Sequence, residues 1–354
     1  MRKTIEMVHG KFKAVLREPK RIEKKDFTKE DLLKAKRKID ERSEEYESLG
    51  FPVWQRLGLK GVDLPYIELK SLPDCGLEHL FKDLDFEGAD RKYTLMADLF
   101  YTEKICFKGS GKKRYKVKDG IDTILAVIED DSKIEISHKG NFRISSGRFL
   151  VKSGAKLRLV DSSISGGLEI SSYYFYLEDG AELEMEQGVI GTNSKVAKFV
   201  MVDGEGKFKA IVNPRVGSIS STVDVMYSAI VKGDPEVKVS GRGFTSNGKI
   251  IFRGVMDAKK GSKGSDISEK FECLFLDEKS SFEAIPSLFI SENELSAEHG
   301  ATAYEVPNDQ IFYMMSRGLS EKESKLLIAS GVFDGFDDLK SFIESHLSIG
   351  GDER

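Results

Sequence analysis

The side chains that could bind a metal ion or act as nucleophiles are five histidines and three cysteines, and none of them forms a recognisable motif. The histidines include no HExxH sequence and no pair at positions i and i+4, which excludes the common helical zinc site. The cysteines form no CxxC pair and are too few for a preformed four-cysteine zinc or iron–sulfur site. Such an odd, sparse set predicts ordinary part-buried thiols in a reducing compartment, without a disulfide framework. The cysteines are Cys75, Cys106 and Cys273.

Motifs for phosphate binding and for a serine nucleophile are also missing from the sequence. The stretch KGSGKKRYKVK is faintly similar to a phosphate-binding loop, but Cys106 stands in place of its first glycine and Lys113 in place of its magnesium-binding hydroxyl. Its charges leave contact with nucleic acid open, although a solvated basic turn between strands is commoner. No G-x-S-x-G sequence occurs. The acids of ELEME share one face of a predicted strand, as outward charges normally do, so they predict no active site.

The composition of the 354-residue chain predicts a globular cytoplasmic protein. Hydrophobic residues make up 40% of it, which is enough for a substantial core. The 55 lysines and arginines nearly balance the 59 aspartates and glutamates, which argues against a nucleic-acid partner. The first residues lack the apolar core of a signal peptide, and no later segment is apolar enough to cross a membrane.

The N-terminal region, residues 1–94, is predicted to contain a charged helix and a connector. Thr28 is the predicted N-cap of the helix, and Gly50 its end. Because its apolar stripe is thin, the helix needs a partner surface to be stable. The connector that follows contains the only tryptophan, Trp54, which we expect to anchor it rather than to bind a ligand.

The middle region, residues 95–305, is predicted to form a β-helix. Its segments alternate apolar with polar residues, as half-buried strands do. Glycines open four similar units at separations of 26, 24 and 29 residues, and strands repeating at this period suggest stacked coils that bury a core only together. A β-sandwich is the alternative. The repeating glycines are Gly154, Gly180, Gly204 and Gly233, and the side chains predicted to point inward are Leu157, Leu159, Leu183 and Met185.

The C-terminal region, residues 306–354, is predicted to be helical. Asn308 or Asp309 is expected to cap a short apolar helix that Gly318 ends. Ser320 and Glu323 have the spacing of a capping box for the next helix, whose apolar face is predicted to include Leu326, Leu327 and Ile328. A third helix follows in FDDLKSFIESHLS.

The stretch AIPSLFISENELSAEHGATAYEVPNDQIFYMMSRGLSEKESKLLIASGVF resembles the C-terminal signature of the SufB/SufD family of iron–sulfur cluster assembly scaffold proteins. The matching elements are HGAT, the hairpin IFYMMSRGLSEKES and LLIASGVF. Upstream, GKIIFRGVMDAKKGSKGSDISEKFECLFLDEKS looks like the last coils of the family's β-helix. The resemblance covers about residues 240–335 and is fainter in the preceding repeats.

The resemblance implies a mainly β fold, in which small N-terminal and C-terminal helical regions flank a right-handed parallel β-helix. It also implies a scaffold that works with a SufC-type ATPase and meets a SufB-type paralogue, or a second copy, through the β-helices. The C-terminal helices would dock the ATPase. On this basis we expect the partner interface to include Phe312, Tyr313, Arg317, Gly318 and Leu319.

Two positions make the chain SufD-like within this resemblance. In SufB, a glutamate follows the histidine of the HGAT counterpart, whereas here Gly300 follows His299. The position of the functional cysteine of SufB corresponds to a point near Ser280 in this chain. A serine hydroxyl is a poor ligand for a soft metal. The resemblance makes His299 the best candidate for binding iron or a cluster. A hydrogen-bonding cap on the last coil is the alternative role for this histidine.

We therefore expect a non-enzymatic SufD-like scaffold subunit that holds no stable cofactor by itself. An iron–sulfur cluster would be held only transiently, at a complex interface. Two other functions stay open: a carbohydrate-active β-helix enzyme, which would need a groove lined by converging carboxylates, and a structural interaction module without metal chemistry.

Overall fold

A computed structural model describes residues 26–348, except 63, 66 and 70, and the backbone of two earlier strands. These strands are β1 (Thr4–Val8) and β2 (Lys11–Val15), which pair antiparallel. For both strands, and for residues 346–348, only the backbone is described.

The N-terminal region contains two short helices where the sequence predicted one. The first, α1 (Lys29–Lys34), begins after Thr28 as predicted, and the Thr28 backbone N–H donates to the Asp31 carboxylate at 2.9 Å. The chain then leaves the helix at Lys36, whose φ is 56°. A second helix, α2 (Glu41–Ser48), begins because Asp40 accepts hydrogen bonds from two backbone N–H groups of its first turn. The prediction of one helix up to Gly50 is therefore wrong.

The connector between these helices and the β-helix is fixed at two points. Its elements are β3 (Val53–Trp54), the 3-10 turn Gln55–Leu57, β4 (Leu59–Lys60), the 3-10 turn Glu78–Phe81 and α3 (Arg91–Leu99). The Trp54 indole donates to Asp224 at 3.1 Å, and Arg253 donates to the other oxygen of this buried carboxylate at 2.8 Å. Trp54 thus anchors the connector, as predicted.

A disulfide is the second fixed point, and it corrects the prediction of three free thiols. Cys75 of the connector is bonded to Cys106 of the first long strand, while Cys273 is free and buried. The two partners are 31 residues apart in sequence. Their spacing did not indicate the pairing, because only the return of the connector along the first coil brings them together.

The middle region is a parallel β-helix of about six turns, so the sandwich alternative is wrong. Its strands are β5 (Glu103–Val117), β6 (Gly120–Val151), β7 (Lys156–Leu177), β8 (Glu182–Thr192), β9 (Lys195–Gly204), β10 (Lys209–Ile219), β11 (Thr222–Val231), β12 (Glu236–Ser246), β13 (Lys249–Ala258), β14 (Asp266–Phe275), β15 (Ser281–Ile290) and β16 (Ser296–Glu305). From β7, one column of strands runs through β8, β10, β12, β14 and β16, and another through β9, β11, β13 and β15, while β5 and β6 form the first turns.

Parallel, in-register pairing stacks like positions of successive coils above one another. Leu157 pairs with Leu183, and Leu159 with Met185. All four side chains are fully buried in one continuous apolar core, which confirms their predicted inward direction. Because strand side chains alternate between two faces, residues two positions apart, such as Leu157 and Leu159, both join this core.

Three helices follow the last strand: α4 (Asn308–Ser316), α5 (Glu321–Ser330) and, after a 3-10 turn at Gly331–Phe333, α6 (Asp337–Ser348). The capping box predicted for α5 is present, since the Ser320 hydroxyl accepts from the Glu323 N–H at 3.2 Å and the Glu323 carboxylate accepts in return. Gly318, with a φ of 95°, follows the end of α4 as predicted. The first residue of α4 follows Pro307 and no side chain caps it, so the caps predicted at Asn308 or Asp309 are wrong.

The C-terminal helices pack on the outside of the β-helix. Phe333 meets Phe244 edge to face, with ring centres 6.0 Å apart. A side chain at Gly188 would collide with α6, because its Cβ would lie 2.4 Å from Leu339 Cδ1. In α5, Leu326 is buried but Leu327 is 40% exposed, so the predicted inward position of Leu327 is wrong.

Candidate functional site at the terminal coil

The last two strands form an open end of the β-helix. Among the described strands, each has a paired neighbour on one side only, β15 along β13 and β16 along β14. Their outer edges therefore present unpaired backbone groups. Large apolar side chains are exposed on these strands, namely Ile285, Phe289, Ile290 and Tyr304. Exposed apolar residues beside unpaired backbone groups are typical of a surface that pairs with another chain.

His299 lies on this terminal coil, in the middle of β16, and its side chain is exposed. Among the described residues, no hydrogen bond to its imidazole is present, so the structure shows no capping contact. Gly300 beside it has open space around the position of a Cβ. An exposed imidazole can offer a ring nitrogen to a metal ion or to a partner chain.

Glu269 of β14 pairs in register with His299, and the sequence analysis missed it. It lies between the inward residues Ile267 and Phe271, and its side chain is 0% exposed. Neither carboxylate oxygen has a hydrogen-bond partner in the described part of the chain. Burial raises the pKa of Glu269 to about 7. The Ser287 backbone N–H makes no hydrogen bond to the carboxylate and offsets only part of this rise.

The space for the Glu269 carboxyl group comes from a glycine on the opposite side of the coil. A Cβ at Gly254 of β13 would lie 1.5 Å from a Glu269 carboxylate oxygen. A missing side chain on one strand thus accommodates a carboxyl group from another. The sequence carried a signal for this residue. Inward residues alternate along β14, and Glu269 stands at the alternate position between Ile267 and Phe271.

Ser280, where the resemblance places the cysteine of SufB, lies in the turn before β15. Its hydroxyl donates to the Thr245 carbonyl at 2.7 Å and lies 3.3 Å from an Asp277 carboxylate oxygen. Since its hydrogen already bonds to the backbone, the hydroxyl stabilises the turn.

The predicted partner-interface residues lie on α4 and the turn that follows it. Phe312 is 74% exposed and Tyr313 59% exposed. The Arg317 guanidinium lies over the Tyr313 ring, 5.2 Å from its centre, and donates to the Tyr313 hydroxyl at 3.2 Å. Leu319 is half-buried and Gly318 exposed. Phe312, Tyr313 and Arg317 thus form an exposed aromatic and basic surface at the end of α4, whereas His299 lies on a strand.

The sequence analysis also missed a network of buried polar side chains in the interior of the β-helix. Arg143 is fully buried and binds Asp122 with two hydrogen bonds, of 2.8 and 3.1 Å. Lys198 donates to Glu169 at 2.5 Å and lies 3.6 Å from Asp161. Gln187 and Tyr227 continue the network, since Gln187 donates to Asp161 at 3.1 Å and the Tyr227 hydroxyl donates to Gln187 at 2.6 Å.

The interior charges are mutually compensated. Burial alone would raise the pKa of Glu169, but Lys198, with help from His138 and Arg143, holds it below its usual range. Burial opposes the charge of Arg143, but Asp122 keeps the arginine firmly protonated. The sequence also carried a signal for these buried charges. The alternation that places Leu157 and Leu159 inside also places Asp161 inside.

The acids of ELEME behave as ordinary surface charges. Lys156 binds Glu184 at 2.6 Å and Glu182 at 3.3 Å, and Asn213 donates to Glu186 at 2.8 Å. Pairing with neighbouring coils accounts for these carboxylates. In the part of the chain that the structure describes, no helix is both long and apolar enough to span a membrane.

Comparison with known proteins agrees with this architecture. A family model described as "SUF system FeS cluster assembly, SufBD core domain" matches residues 126–332, more than half of the chain. An iron–sulfur cluster assembly SufBD family protein of Staphylococcus aureus strain USA300 is 34% identical over 91 residues, or 26% of this chain and 20% of the relative. A protein of the same description from Staphylococcus haemolyticus has the same identity and coverage. The chain therefore aligns with only about a fifth of the length of these relatives.

Proposed function

Since the chain belongs to the SufBD family of the SUF iron–sulfur cluster assembly system, we propose that it is a SufD-like, non-enzymatic scaffold subunit. The observation that carries the SufD-like assignment is the chemistry of the terminal coil. His299 is exposed there and its imidazole has no hydrogen bond to a described residue, while Ser280, in place of the SufB cysteine, binds the backbone. A scaffold with an imidazole and no exposed thiol at this end needs a second chain to supply thiolate ligands.

The second chain would bind along the open end of the β-helix. Unpaired edges of β15 and β16 can extend the sheet into a partner, and the exposed Phe289 and Tyr304 would be covered by the contact. A SufB-type paralogue fits this role, and so does a second copy of this chain. Iron–sulfur clusters would be the cargo of the assembled interface, with His299 as the ligand that this chain contributes.

The ATPase partner would bind the helical hairpin. The exposed Phe312 and Tyr313 provide apolar contact area, and Arg317 can make a bidentate contact with a carboxylate of the partner. Ile311 of α4 and Leu326 of α5 belong to the apolar cluster that joins the helices to the β-helix, so a contact at α4 would transmit motion of the ATPase to the β-helix.

Co-purification tests this proposal. The chain is expressed with a SufC-type ATPase and a SufB-type protein, and each is assayed for binding by affinity capture and size-exclusion chromatography. We expect both to be retained, and a variant with Phe289→Ser and Tyr304→Ser to lose the SufB-type protein but keep the ATPase. Failure of the wild-type chain to bind either protein would refute the scaffold assignment.

A further inference from the structure

A group of four possible metal ligands lies far from the terminal coil, where the connector meets the first strand of the β-helix. Asp74, Cys75 and Glu78 each direct a donor atom into one small region, and these atoms lie within 4.8 Å of one another. Cys106 of β5 joins the same region through its bond to Cys75. Two sulfur atoms and two carboxylates are a donor set that suits zinc.

The local backbone holds these donors in place. Gly76, with a φ of 74°, turns the chain directly after Cys75, and its N–H donates to Asp74 at 3.1 Å. The following 3-10 turn begins with Glu78, one of whose oxygens lies 3.5 Å from the Cys75 sulfur. Its other oxygen is buried and has no hydrogen-bond partner among the described residues. An unpartnered oxygen on the same carboxylate that contacts the Cys75 sulfur can accept a cation.

A cation already occupies the neighbourhood of these carboxylates. The Lys104 ammonium is in direct contact with Glu78 and lies 3.9 Å from Asp74, with its side chain only 9% exposed. Its single positive charge offsets one of the two negative charges while the cysteines are bonded to each other and neutral. Reduction adds up to two further negative charges in the form of thiolates, which one ammonium group cannot balance.

We propose that, once the Cys75–Cys106 bond is reduced, the two thiolates bind a zinc ion together with the carboxylates of Asp74 and Glu78. Two sulfur atoms on one tetrahedral zinc ion lie about 3.8 Å apart, given Zn–S bonds of about 2.3 Å. Side-chain rotation can reach this separation, because the two Cα atoms are 6.4 Å apart. A cleft of about 880 Å³, whose walls include Asp74 and Glu78, gives the ion a path from solvent.

The two states interconvert by ordinary thiol chemistry. A dithiol reductant attacks the disulfide, supplies two electrons and two protons, and leaves as its own disulfide, so that Cys75 and Cys106 become thiols. Zinc binding then releases the two thiol protons. Oxidation removes both thiolates and with them the site. In either state the connector stays attached to β5, by a covalent bond or by the ion.

Zinc binding to the full chain tests the proposal. Protein reduced with a phosphine and protein oxidised to the disulfide are each titrated with zinc, and bound metal is counted after dialysis. We expect one equivalent in the reduced protein and an affinity lower by about a hundredfold or more in the oxidised protein. Cobalt in place of zinc should show thiolate-to-metal charge-transfer absorption only in the reduced protein. Absence of zinc binding by the reduced wild type would overturn the proposal.

Matched variants assign the ligands. Cys75→Ser and Glu78→Gln should each weaken binding, whereas Cys273→Ala and Glu129→Gln, which change a distant thiol and an exposed lysine-paired carboxylate, should leave it unchanged. Far-ultraviolet circular dichroism verifies that each variant is folded. Equal zinc affinity in Cys75→Ser and the wild type would contradict the site, as would loss of binding in Cys273→Ala.

Discussion

Glu269 and His299 are paired in register on the neighbouring parallel strands β14 and β16, the first fully buried and the second exposed. In a parallel β-helix, in-register side chains point to the same side of the sheet. The last closed coil thus ends on a buried carboxyl group, and the next position outward is an imidazole. A partner that covers the open end would bury His299 next to the already buried Glu269.

The first prediction concerns the titration of Glu269. Its folded pKa of about 7 is above the usual value of 4.5, so the folded state keeps a proton that the unfolded state has already released. The contribution to stability is complete below about pH 4.5 and is lost as the pH rises through 7. Over this interval the loss is roughly 3 kcal/mol, since the folded and unfolded pKa values differ by about 2.5 and one pKa unit is worth about 1.4 kcal/mol.

Chemical denaturation at several pH values measures this effect. Glu269→Gln should remove the fall in the free energy of unfolding between pH 4.5 and 7 and be the more stable protein at pH 8. Glu272→Gln, on the same strand but with an exposed side chain, should keep the wild-type slope. Identical slopes in wild type and Glu269→Gln would show that the carboxyl group is solvated.

The second prediction concerns the buried ion pair of Arg143 and Asp122. Arg143→Met leaves Asp122 buried without its partner, which should cost about 3–5 kcal/mol of unfolding free energy. Arg242→Met removes an exposed pair with Glu272 and should cost less than about 1 kcal/mol. Thermal and urea unfolding compare the two variants, and equal small losses would contradict the role assigned to the interior network.

The third prediction concerns Gly188, which permits the close approach of α6. Gly188→Ala places a methyl group against Leu339 and Phe336, and overpacking of this kind costs about 1–3 kcal/mol. Gly331→Ala, which meets nothing within 4 Å, is the control. If both variants had the same melting temperature, the helical region would be held less tightly than the structure indicates.

The fourth prediction concerns the ATPase partner. Arg317→Glu reverses the charge beside Tyr313 and should abolish binding of a SufC-type ATPase while the β-sheet circular dichroism persists. Lys207→Glu makes the same charge reversal at an exposed position on a β-helix turn and should not affect binding. Undiminished affinity of Arg317→Glu, measured by calorimetry, would move the docking surface elsewhere on the chain.

Periodicity predicted the architecture because the β-helix core is mostly apolar. Leu157 and Met185 show the inward face directly, and the capping box of Ser320 and Glu323 is a local pattern that needs no tertiary context. The same period of two also placed Asp161 and Glu269 inside. Charge normally indicates an outward position, and only the partners from other coils, such as Lys198 for Asp161, reveal how an inward charge is tolerated.

Features that depend on long-range contacts could not be predicted. The bond between Cys75 and Cys106 requires the path of the connector, and the space for Glu269 requires Gly254 on another strand. His299 was proposed from resemblance, and the structure adds its exposure and its position beside Glu269. Its role as a ligand stays a prediction.

The most direct test of the proposed function is the iron and sulfide content of the complex with a SufB-type partner and a SufC-type ATPase after anaerobic reconstitution. The isolated chain should hold little iron and no stable cluster, because Cys273 is buried, with its pKa raised by burial to about 12, and Cys75 and Cys106 can supply at most two thiolates even when their bond is reduced. The complex should hold a cluster, and His299→Ala should lower its content while both chains stay folded and associated. A stoichiometric thiolate-bound cluster on the isolated chain, or an unchanged cluster content in the His299→Ala complex, would contradict the account.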